Sequence, residues 1–133
     1  MSQPRKVRLF VYGTLRTDEA EEGLLAAFPK HPAQVKGKLF KLAGGYPVLV
    51  PDPDGRWIQG ELVDIHTGVL TVLDLYENVS GGLYRRAAVQ ARLAQGMVSC
   101  LAYVLRADDV RARRAIPLDT DDWRRISGRR RMR

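Results

Sequence analysis

Four short stretches of the 133-residue chain bring together residue types that could do chemistry. Tyr12-Gly13-Thr14-Leu15 lies where an apolar run gives way to a helical pattern. A strand-to-helix break leaves backbone N–H groups without intrahelical partners, so such a turn can face a ligand with amides. Glu77, in LDLYENVSGG, is a carboxylate near the end of a helical pattern, and carboxylates serve as general acids and bases. Gly44-Gly45-Tyr46 and Tyr84-Arg85-Arg86 add phenols and guanidiniums. Taken singly, each has a plainer reading. YGTL is a turn in which glycine eases a sharp exit from a strand, and GGYP is a hairpin. Glu77 is a solvated helix-end carboxylate, and YRR is the wet face of an edge strand.

Other chemistries lack their residues. Cys100 is the single cysteine, and GMVSCLAYVL alternates like a strand, so a buried structural thiol is the expectation. His31 and His66 are the two histidines; neither stands in metal-ligand spacing with the cysteine, and no credible triad is present. No metal and no cofactor are assigned. The net charge of +7 points toward nucleic acid until it is located. Six of the 22 basic residues, Arg124, Arg125, Arg129, Arg130, Arg131 and Arg133, fall in the last ten positions; without them 16 face 15 acids. A nearly neutral body with a basic end argues against a nucleic-acid partner. No apolar run approaches the roughly 20 residues of a membrane span, and the start lacks a signal-peptide core, so a cytoplasmic location is expected.

These residues must be positioned by a single domain, read over residues 1–127, followed by a basic tail at 128–133. VRLFVY (7–12) is a buried strand ending at Gly13. A helix follows over about 17–28, with acids in its first turn, an apolar face of Leu24, Leu25 and Phe28, and Pro29 and Pro32 as stops. Residues 34–42 and the YPVLV run form strands around Gly44-Gly45, and RWIQGELVDI (56–65) forms another. Thr67 reads as the N-cap of a helix over 68–77, with Val69, Leu70, Val72, Leu73 and Leu75 as its apolar cover and Gly81-Gly82 as its end. Residues 83–94 and 96–105 pair around Gln95-Gly96, and DTDDWRRI closes the chain as a short helical or irregular segment. Many alternating strands and two or three helices predict an α+β domain with a small, mixed, barrel-like sheet.

Together, YGTLR, GGYP, LDLYE and YRR, in that order from residue 8 to about residue 105, with DDWR beyond, resemble the gamma-glutamylcyclotransferase-like superfamily. Within it the chain is most similar to the AIG2-like branch, which includes gamma-glutamylamine cyclotransferases. The resemblance implies a barrel-like sheet flanked by helices, with one pocket at its mouth. It also implies that the Tyr12, Gly13, Thr14 and Leu15 turn lines that pocket with amides, and that Glu77 is the acid/base. Tyr46 and Tyr84 follow as pocket walls or donors, while Arg16 stands where some members carry lysine and has no assigned role.

A gamma-glutamyl compound carries its own nucleophile, since its alpha-amino group can close a five-membered ring on the side-chain carbonyl. The implied activity is therefore release of 5-oxoproline and a free amine from a small gamma-glutamyl substrate, without an enzyme nucleophile. Two alternatives stay open: a module that holds a small acidic or gamma-glutamyl-like metabolite without converting it, and a scaffold for the basic tail.

Overall fold

A computed structural model describes residues 5–13, 25, 28–123 and 125. The helix expected over 17–28, Thr14, Leu15, Arg16 and the basic tail lie outside the described residues, apart from Leu25 and Phe28. Leu25 is fully buried, and Phe28 packs edge-on against the His66 ring.

Seven strands form one sheet: β1 (Lys6–Val11), β2 (Lys30–Lys41), β3 (Pro47–Pro51), β4 (Arg56–His66), β5 (Arg85–Leu93), β6 (Gly96–Val104) and β7 (Ile116–Pro117). Hydrogen-bonded neighbours run β1–β4–β2–β5–β6, and β6 returns to β1, so five strands close a barrel. The β1–β6 and β3–β6 pairings are parallel and the others antiparallel, which makes the sheet mixed. β3 inserts between β2 and β6 at one end, and β7 adds to β2 at Phe40 and Lys41. Closure removes most exposed edges, which a small sheet otherwise leaves open to pairing with other chains.

Strand alternation splits the apolar residues into two clusters. Phe10, Tyr12, Val35, Ile58, Leu62, Val89, Cys100 and Ala102 fill the barrel. Leu9, Val11, Val63 and Ile65 face outward beneath α1 (Thr67–Tyr76), which contributes Val69, Leu70 and Leu73. At the barrel end away from β3, the register places Arg8 opposite Asp64, and the two pair at 3.7 Å.

Several local expectations are corrected. β2 begins at Lys30 and contains Pro32. Residues 30–33 pair only with β4, because β5 joins at Gln34, and a strand paired on one side tolerates proline. His66, not Thr67, is the N-cap of α1, and no side chain caps it. The Thr67 N–H instead donates to the Arg5 carbonyl at 3.0 Å, so the strand-to-helix junction is satisfied through the backbone. Val72 and Leu75 are exposed rather than covering the barrel: Val69, Leu70 and Leu73 fill one arc of about 100° on a 3.6-residue helix, and the other two fall outside it. A six-residue helix, α2 (Ala107–Ala112), and β7 were not expected, being too short to carry a period. Arg85 docks α2 through a two-pronged pair with Asp109 at 2.8 and 3.1 Å, and this guanidinium holds the Asp109 carboxyl down to about 2.

Candidate active site

β1 ends at the mouth of the barrel, where Phe10 to Gly13, Tyr46, Pro47, Tyr76, Glu77, Leu83, Tyr84 and Tyr103 line a cavity of about 220 Å³. That is below the ~300–1,000 Å³ of pockets for drug-sized ligands and suits one amino-acid-sized group. Five residues expected at the site, Tyr12, Gly13, Tyr46, Glu77 and Tyr84, come together here from four separate segments. Thr14 and Leu15 lie outside the described residues.

Gly13 is required by close approach: a Cβ there would sit 2.7 Å from Pro47 Cγ. The turn and the GGYP hairpin are thus packed against each other. In the hairpin, Gly44 and Gly45 have φ of 93° and 88°, a region closed to most L-residues, and the Leu42 N–H donates to the Tyr46 carbonyl at 2.8 Å.

Glu77 is placed by the end of α1. It is the C-cap, and Asn78 follows at φ 52°. The Asn78 N–H donates to Leu75 O at 3.1 Å and the Val79 N–H to Asp74 O at 3.0 Å, the paired bonds of a Schellman motif. The helix therefore ends within one residue of the expected 77, and Gly81-Gly82 lies beyond it in the turn that follows. Asn78→Gly is expected to leave stability within about 0.5 kcal/mol of wild type, whereas Asn78→Val, forced into a left-handed conformation, is expected to cost roughly 1–2 kcal/mol in urea denaturation.

The same turn is tied to the sheet. Asp74, one turn before Glu77, accepts the Tyr103 hydroxyl at 2.7 Å and pairs with Arg86 at 2.5 Å. Asp74→Asn keeps an acceptor for Tyr103 and is expected to cost less than about 1 kcal/mol. Asp74→Leu strands the Tyr103 hydroxyl and is expected to cost about 1–3 kcal/mol by the same denaturation assay.

Burial pushes the Glu77 carboxyl up to about 7. Among the described residues no group hydrogen-bonds to that carboxylate. Its charge is felt by three buried phenols: Tyr12, Tyr84 and Tyr103 are all raised well above the ordinary tyrosine value, first by burial and further by Glu77. Their hydroxyls are engaged within the protein. Tyr12 donates to Tyr103 O and accepts the Leu49 N–H at 3.0 Å, and Tyr84 donates to Pro47 O at 2.5 Å. Tyr12 and Tyr84 thus present ring surface to the cavity. Leu75, two residues before Glu77, is 75% exposed and does not cover it.

Arg85 and Arg86 point to solvent and pair with Asp109 and Asp74, in keeping with the plainer reading of YRR. Tyr76 and Tyr103 were missed by sequence reasoning. Tyr76 could have been found as the neighbour of Glu77, but nothing local marks Tyr103, whose place depends on β6 closing against β1. Burial pushes the Cys100 thiol up to about 11, an inert group inside the barrel. Among the described residues no cluster of three His, Cys, Asp or Glu side chains could hold a metal ion, and no helix is long and apolar enough to cross a membrane.

A closed five-stranded mixed barrel with appended strands and two described helices, its tyrosine-walled mouth holding the half-buried Glu77 carboxylate, has the gamma-glutamyl cyclotransferase-like fold. Residues 9–125 match the family described as gamma-glutamyl cyclotransferase, AIG2-like, and the chain belongs to that family. Similar solved structures include an AIG2-like protein from Mus musculus, at 22% identity and TM-score 0.65, covering 76% of this chain and 78% of that one. An Arabidopsis thaliana protein solved in solution has 24% identity and TM-score 0.70, covering 99% of this chain and 81% of its own. YkqA from Bacillus subtilis has 26% identity and TM-score 0.71 over 93% of this chain, which spans 43% of that longer protein. No curated protein matches the chain in sequence. Family membership sets the general class of chemistry as cyclotransferase-type.

Proposed function

We propose that the protein converts a gamma-glutamyl amine or peptide to 5-oxoproline and the free amine, with Glu77 as general base and then general acid. The observation that carries this reading is a lone carboxylate, raised to about 7, facing a small cavity beside the turn that begins at Tyr12 and Gly13. The substrate binds curled. Its alpha-ammonium gives a proton to the Glu77 carboxylate, and the freed amine attacks the side-chain carbonyl carbon. The new C–N bond closes the five-membered ring and leaves an oxyanion, which the backbone amides of the Tyr12-Gly13-Thr14-Leu15 turn receive. Glu77 then returns the proton to the leaving nitrogen as the original amide bond breaks, and the same carboxylate carries the ring nitrogen's second proton to the released amine, which departs as an ammonium, so atoms and charge balance.

Holding the chain curled supplies most of the rate, since well-oriented intramolecular reactions reach effective molarities of about 10⁵–10⁸ M. Each oriented amide donor adds on the order of 10²-fold or more. A base at about 7 stands between an ordinary carboxyl and an alpha-ammonium near about 8, so its proton exchanges in both directions near neutrality. Tyr46 and Tyr84 act as walls of the pocket in this reading.

The test is a panel of gamma-glutamyl amines and dipeptides assayed for 5-oxoproline. Release from at least one member is expected. Saturable binding in calorimetry with no product from any member overturns catalysis in favour of a binding module.

A further inference from the structure

The five tyrosines around the cavity divide into two sets. Tyr12, Tyr84 and Tyr103 are buried with their hydroxyls committed to Tyr103 O, Pro47 O and Asp74. Tyr46 and Tyr76 are 54% and 63% exposed, and among the described residues their hydroxyls have no partner. Two large rings exposed at the rim of one cavity form the kind of apolar patch that marks a ligand groove, unlike single exposed side chains.

Both rings line the cavity that holds Glu77, and they come from different elements. Tyr46 stands on the β2–β3 hairpin, its ring edge lying 3.2 Å from where a Gly44 Cβ would project, so the glycine lets the ring settle over the turn. Tyr76 stands on the last turn of α1, adjacent to Glu77 and held by the Schellman cap. Both line the same cavity as the buried Tyr84.

We propose that Tyr46 and Tyr76 form a leaving-group subsite for an amine that carries an aromatic ring. This rests on the cyclotransferase reading above. With the curled glutamyl group in the part of the cavity beside Tyr12, Gly13 and Glu77, the amine projects past the two exposed rings at the mouth and departs that way. A flat ring can lie against phenol surfaces there, gaining edge or offset-stacked contact beyond simple burial. A carboxylate at the same place meets the negative faces of two rings and the Glu77 carboxylate, so gamma-glutamyl amino acids are the disfavoured class.

The experiment compares kcat/KM for gamma-glutamyl-phenethylamide, gamma-glutamyl-ethylamide and gamma-glutamylalanine. The phenethylamide is expected to exceed the ethylamide by about tenfold, with the alanine compound lowest. In the Tyr46→Ala/Tyr76→Ala double variant the phenethyl-to-ethyl ratio is expected to fall toward one, with a circular-dichroism melt confirming that the exposed substitutions leave the fold intact. A wild-type ratio near one, or a ratio unchanged in the double variant, overturns the subsite. Calorimetric binding of the same three compounds gives an independent readout. If neither these three nor any other member of the panel is turned over, the cyclotransferase reading fails, while tenfold tighter binding of the phenethylamide sustains the aromatic subsite and equal affinities overturn it.

Discussion

Glu77→Gln is expected to lower kcat by about 10²- to 10⁴-fold on any substrate the protein turns over, with a much smaller change in KM. The amide keeps the size and much of the polarity of the side chain but can neither take the ammonium proton nor return it. Wild-type kcat/KM is expected to rise with pH through a midpoint at about 7, where Glu77 ionises, and this limb should vanish from the residual activity of the variant. Turnover of Glu77→Gln at the wild-type rate removes Glu77 from the chemistry.

The same residue has a stability signature of opposite sense. Its carboxyl sits at about 7 in the folded protein against about 4.5 unfolded, so the native state binds the proton more tightly. Glu77 is therefore least costly to the fold below about 4.5. Stability falls as pH rises from 4.5 to 7 and is then level, a loss of at most about 3 kcal/mol. At pH 8 Glu77→Gln should accordingly melt above wild type, and the difference should shrink at pH 5. A less active, more stable variant is the pattern of a functional group held against its preference.

Tyr12→Phe is expected to behave in the other way, losing about 2–4 kcal/mol of stability, roughly 10 °C in Tm, with little change in KM. The ring remains, stacked on Phe10 with centroids 6.1 Å apart. The lost hydroxyl leaves two buried backbone groups, the Tyr103 carbonyl and the Leu49 N–H, without the partner that ties β1 to β6 and β3. Those strands meet where β3 and β6 pair through Leu49 and Val104 alone, so this phenol reinforces a thin part of the sheet. An unchanged Tm together with a tenfold rise in KM would instead make the hydroxyl a substrate ligand.

The contrast between Glu77 and Tyr12 shows which part of the site is readable locally. The Tyr12-Gly13 exit from β1, the Gly44-Gly45 hairpin and the strand alternation of β4, β5 and β6 follow from short-range rules, because period and turn chemistry are set within a few residues, whereas the buried arc of α1 is narrower than its apolar residues imply. The end of α1 was read to within one residue, but its cap was not: Asn78 adopts the left-handed conformation that glycine usually provides, so the letters did not mark it. The early start of β2 was missed because Pro32 reads as a stop unless the strand is known to be paired on one side.

By itself the sequence determined the α+β class, the family and five residues that line one mouth, Tyr12, Gly13, Tyr46, Glu77 and Tyr84, since these rest on local patterning and on motifs that survive as strings of letters. Only the tertiary structure decided how deeply each of these residues is buried and which of their polar atoms are already engaged. Barrel closure brings β6 against β1 and so spends the Tyr12 hydroxyl on a strand rather than leaving it for a ligand. The packing of α1 buries Glu77 far enough to lift its carboxyl to about 7 while leaving Tyr76 out at the rim. Burial and hydrogen-bond partners depend on residues as much as 91 positions apart, and those are set by three-dimensional closure, which no local pattern encodes.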